Sequence, residues 1–112
     1  MPETMTERPV LDLLGDMTKL SIERTTLDPQ TLMLTRIAAL VAVDAPPASY
    51  LLNLGAASEI GVTEEQVVGV LTAIAPIVGT PRVMAAVGNI ARALGFAIDL
   101  AIAEMEEASQ EA

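Results

Sequence analysis

What most constrains this chain is its punctuation. Capping residues, prolines and glycines cluster at four places, and each cluster suits a helix end and suits a central strand poorly. Asp28-Pro29 puts a side-chain acceptor just before a proline, the order that caps a helix and presets its first turn. The helix so opened is expected to reach about residue 43, where Asp44-Ala45-Pro46-Pro47 stops it, because the residue before a proline is pushed out of the α region. A second helix starts near Pro47 and reaches about residue 59, with Gly61 as a left-handed C-terminal cap. Thr63-Glu64-Glu65-Gln66 reads as a capping box, and its two acids suit the positive end of the helix dipole. That helix runs to about residue 78 with a kink expected at Pro76. Gly79-Thr80-Pro81 closes it and opens a last helix from residue 81 to about 108. A shorter helix over about residues 10–20 precedes them all.

Strand alternation is absent, so the expectation is an all-α single domain over residues 1–112, frayed at 1–8 and 108–112. Met33, Ile37 and Leu40 make one apolar stripe, with Leu34, Ala38 and Val41 beside it. On the last helix Ile90, Leu94, Ile98, Ala101 and Met105 lie opposite a solvated stripe of Arg92, Asp99 and Glu106. Residues 67–79 and 83–91 are apolar on nearly every side, more than one small protomer can cover. The small side chains of Ala85, Ala86 and Ala91, with Gly88, admit a close neighbour. These patterns predict a homo-oligomer.

Six basic residues face 15 acidic ones, a net charge of −9 that repels phosphate backbones and anionic membranes. No nucleic-acid or membrane partner is expected. The uncharged run over residues 66–81 is too short for a bilayer span and holds two prolines. Residues 1–8 lack the basic start of a secretory signal, so the cytoplasm is the expected location. The chain has no Cys and no His, which removes thiol nucleophiles, imidazole acid–base work and nearly every zinc site. No Asp-x-Asp-x-Asp calcium loop occurs, and neither a metal nor another cofactor is expected.

The order of these signals (Leu27-Asp28-Pro29-Gln30-Thr31, an aliphatic helix, a short break, Gly61-Val62-Thr63-Glu64-Glu65, then an apolar helix closed by Gly79-Thr80-Pro81) resembles the carboxymuconolactone decarboxylase family, which includes the alkylhydroperoxidase D-like enzymes. The resemblance covers roughly residues 20–100. It implies a compact helical protomer assembling as a trimer or hexamer. It also implies where chemistry would sit. The redox branch carries a Glu, a Cys-x-x-Cys pair and a His, and these positions fall here on Leu34, Pro46, Ser49 and Asn53. None matches, so thiol peroxidase chemistry is excluded. The decarboxylating branch also presents His where Asn53 stands, and Asn53 can donate a hydrogen bond but cannot deliver a proton near neutral pH.

The candidate site residues follow. Ser49 and Asn53, four apart on one helical face, suit a small polar pocket in an apolar wall, with Tyr50 beside them. The structural alternative makes Ser49 a helix cap, has Asn53 satisfy a backbone group or cross an interface, and leaves Tyr50 a packing residue with a solvated hydroxyl. Arg36, inside an otherwise apolar helix, suits a ligand carboxylate or an ion pair with Asp44 or Glu59. Arg82, in a first helical turn, calls for an acidic partner of its own. Two functional readings stand at this point. One is a repurposed family member binding a small apolar ligand at a subunit interface, with a purely structural oligomer as its limiting case. The other is a cofactor-independent lactone decarboxylase or isomerase, in which Tyr50 or Asp44 moves the proton while Asn53 and Arg36 hold the substrate.

Overall fold

The structure, a computed structural model, describes residues 7–111, with side-chain surroundings for all of these except 7, 96–98, 100–101 and 110–111. Residues 1–6 and 112, part of the ends expected to fray, lie outside it. The described residues form five helices, α1 (Glu7–Arg24), α2 (Pro29–Ala42), α3 (Pro47–Ile60), α4 (Glu64–Val78) and α5 (Thr80–Glu111).

Local chemistry sets most of the helix ends. Asp28 caps α2 by accepting from the Thr31 backbone N–H at 3.2 Å and from the Thr31 hydroxyl. Those bonds, the hydroxyl's first, hold the Asp28 carboxyl below its usual value. At α4 both halves of the capping box form: Gln66 N–H donates to Thr63 Oγ1 at 3.1 Å, and Thr63 N–H donates to Gln66 Oε1 at 2.9 Å. α2 and α3 end alike. The Ala45 N–H donates to the Leu40 carbonyl and Asp44 to Val41; the Val62 N–H donates to Ala57 and Gly61 to Ser58. Both are the paired Schellman closure, whose turning residue must be left-handed. Gly61 takes φ 98° without a side-chain penalty, whereas Asp44 takes φ 55° as one of the few residue types that tolerate it. α4 continues through Pro76 to Val78, and α5 starts at Thr80 and passes residue 108.

α2 is the centre. Ile37 and Met33 pack with Ala57 of α3, joined by Val67 and Val70 of α4. One turn on, Val41 and Ala45 pack with Tyr50 of α3 and with Ala86 and Ala93 of α5. The Asn89 side chain fastens α5 to this corner by donating to the Ala45 carbonyl at 3.3 Å. The buried face of α5 is thus the Ala86–Ala93 side. Leu94 and Met105 of the expected stripe are exposed, while Ile98 and Ala101 fall outside the described side chains.

The apolar segments 67–79 and 83–91 are covered only in part by the chain itself. α4 has no fully buried residue, and Ile77 stands 86% exposed, so residues 67–79 are not covered on several faces. Met84 and Val87 likewise leave 83–91 open on one side. α1 goes further: every residue from 8 to 24 is exposed, among them Leu11, Leu14 and Met17. An isolated helix of this length is marginal in water.

Candidate functional site

α1 is tied to the rest of the chain through Arg36 of α2, and with α2 and α3 it borders an open cleft of about 560 Å³. From α1 come Thr18 and Ile22, from α2 Leu32, Met33 and Arg36, and from α3 Leu52, Asn53, Ala56 and Ile60. The α3 spacing explains the division of labour. Asn53, Ala56 and Ile60 recur at helical intervals on the cleft face, while Tyr50, Leu54 and Ala57 recur on the core face. A shallower extension shares Thr18, Arg36 and Asn53 and adds Met17, Ser21 and Leu40. None of the residues lining either part is acidic, in a chain with 15 acids.

Arg36 supplies the charge. Its Nη2 donates to Ser21 Oγ at 3.0 Å and to the Thr18 carbonyl at 3.4 Å. Neither Asp44 nor Glu59 is its partner; the guanidinium turns toward α1 instead. Asn53 donates to the Ser49 carbonyl at 2.8 Å, one turn back in its own helix, so the backbone-satisfying role is the one its amide performs. Ser49 does not cap α3, because Pro46 is the N-cap and no side chain bonds there. Arg82 is exposed and makes no ion pair with a described residue.

The structure therefore brings Arg36 and Asn53 together and separates the rest. Tyr50 is fully buried, and its hydroxyl has no hydrogen-bond partner among the described residues, which corrects the expected solvated tip. Burial first, and then the negative charge of Asp44, push this phenol above its ordinary 10.0. Asp44 is exposed and serves as the left-handed turn of α2. Ser49 lines neither part of the cleft, and its carbonyl accepts from Asn53. The contribution of α1 was missed. Thr18 and Ile22 sit at i, i+4 on it, a weak signal that becomes meaningful only once the helix is placed.

Tyr50 is the only tyrosine and the chain has no Trp, so its titration can be read alone. Below the unfolded value both states hold the proton; above it, only the unfolded chain ionises, and stability falls as pH climbs towards the folded value. Phenolate absorbance is expected to appear together with unfolding above pH 10, not before it. Tyr50→Phe removes an unpartnered buried hydroxyl and is expected to raise neutral-pH stability by about 1 kcal/mol and to delay alkaline unfolding. Phenolate formation in the folded chain at pH 10 would contradict this placement.

Fold and cleft together describe a chain whose described residues are helical and whose candidate site offers a guanidinium and an amide within apolar walls. The model of the carboxymuconolactone decarboxylase family matches residues 8–92, most of the chain, and the chain belongs to that family. No curated protein and no solved structure matches it. Of the four positions that the family resemblance gives to redox residues, only Asn53 lines the cleft. Among the described residues no helix is long and apolar enough to cross a membrane.

Proposed function

We propose that this family member is repurposed for binding: it holds a small, largely apolar ligand in the α1–α2–α3 cleft and works as a cytoplasmic homo-oligomer without thiol peroxidase chemistry. One observation carries the reading. The cleft has groups that grip but none that delivers a proton near neutral pH, since its polar lining is Thr18, Thr25, Arg36 and Asn53. The decarboxylase alternative needs Tyr50 or Asp44. The first has its hydroxyl buried in the core with a raised pKa, and the second is engaged in a helix-ending turn. The exposed apolar side of α1, next to the cleft, supports a subunit interface there. Its small cleft volume is in the range of small-molecule sites.

The test combines turnover and stability. The chain is expected to leave a hydroperoxide and a lactone panel unconsumed, while a metabolite screen finds at least one compound that raises its Tm. Lactone turnover that falls in Asn53→Ala or Tyr50→Phe would establish the decarboxylase instead. No stabilising compound in a broad screen would leave the purely structural oligomer.

A further inference from the structure

Within the cleft the charged and amide groups gather at one end. Thr18, Arg36 and Asn53 lie where the two parts of the cleft join. Away from them the wall is Leu27, Leu32 and Ile60, with the single hydroxyl of Thr25, whose Oγ1 accepts from the Leu27 N–H at 3.2 Å. Along α2 this trough runs from Pro29 to Arg36, about 10 Å of helix. A ligand that fills it must be apolar along its length and polar at one end.

The polar end has a sign. Arg36 is half-buried, and no described acid pairs with it. Its Nη2 is held by Ser21 and Thr18, which fixes the plane of the guanidinium, while Nε and Nη1 make no hydrogen bond with a described residue. Both two-nitrogen edges of the guanidinium include Nη2, so with that group held by α1 a carboxylate takes a charge-assisted bond from one of the remaining nitrogens, beside Asn53 on the same cleft. The net charge of −9 opposes anions at long range, but salt screens that field within about 10 Å and the guanidinium acts inside it. A second anionic group would have to lie along the leucine wall without a partner.

We propose that the cleft takes an amphipathic monocarboxylate, with the carboxylate on Arg36 and the apolar body along Leu32, Leu52 and Ile60. This rests on the cleft-binding reading above and adds the ligand's chemical class. Decanoate and decanol serve as matched probes in calorimetry, with Arg36→Met keeping the aliphatic stem and Ala56→Phe filling the trough from an exposed position. Decanoate is expected to bind the native chain about tenfold more tightly than decanol. In Arg36→Met that preference disappears while decanol binds as before; Arg36→Lys restores part of it; Ala56→Phe weakens both probes. Equal binding of the two probes to the native chain, or a preference that survives Arg36→Met, overturns the carboxylate assignment and leaves the cleft as a neutral-ligand site. Binding of neither probe, or binding of both that ignores Ala56→Phe, removes the cleft reading together with this one.

Discussion

In sedimentation the native chain is expected to run as a multi-subunit species, and the double variant Met84→Glu/Val87→Glu as a single chain. The expectation comes from area. One protomer exposes 8126 Å², whereas a folded monomer of this mass exposes about 5,900 Å². The excess of about 2,200 Å² on one chain exceeds the roughly 800 Å² per partner of a standard specific interface. Much of it is aliphatic, on α1, on the outer side of α4 and on the open side of α5. Met84 and Val87 are both exposed within the protomer, so a glutamate there costs the isolated fold little. Buried unpaired at an interface, each carboxylate costs several kcal/mol, and together they lower the association constant by about a thousandfold or more. A native chain that stays folded and single at high dilution, with water against residues 83–91, would remove the homo-oligomer from the proposal.

The helix ends were legible because capping is a local matter. Asp28 and the Thr63–Gln66 box act within three residues of themselves, and their geometry follows from spacing alone. Asp44 was less legible. Its position before Ala-Pro-Pro announces a stop, yet nothing local says that an aspartate, instead of a glycine, will take the left-handed turn. On α3 the site was half readable. Helical spacing puts Asn53 with Ala56 and Ile60, and the same spacing sends Tyr50 with Leu54 and Ala57 to the opposite side. Placing Ser49, Tyr50 and Asn53 in one pocket overlooked that step of about 100° between neighbours. Arg36 stood out as the charge inside an apolar helix, but its turn toward α1 is a tertiary fact. No spacing within α2 encodes where Thr18 and Ser21 will lie.

The apolar pattern marked more surface than one chain covers, but could not say which part lies inside the chain. A helix that is aliphatic all round is read as buried, and burial by a neighbouring copy leaves the same trace in sequence as burial within the chain. The protomer's own core is small: Ile37, Val41 and Tyr50 are its largest fully buried side chains.

Because that core is small, Ile37→Ala is expected to cost about 3 kcal/mol of folding stability. Ile37 is fully buried between Met33 and Ala57, with Val67 and Val70 of α4 over it, so three helices meet on one side chain. Removing it leaves a cavity that α2 cannot close without drawing α3 and α4 inward. Domains of this size hold roughly 5–15 kcal/mol, and the loss is a large share of it. Chemical denaturation at several protein concentrations separates this effect from assembly. If folding is coupled to association, the native midpoint rises with concentration by mass action. Ile37→Ala then lowers the midpoint by a similar amount throughout, since the lost contact lies within each protomer. Met84→Glu/Val87→Glu instead abolishes the dependence on concentration and leaves the dilute-limit midpoint nearly unchanged. An Ile37→Ala loss under 1 kcal/mol, or one confined to high concentration, would mean that α2 does not pack against α3 and α4 around this side chain.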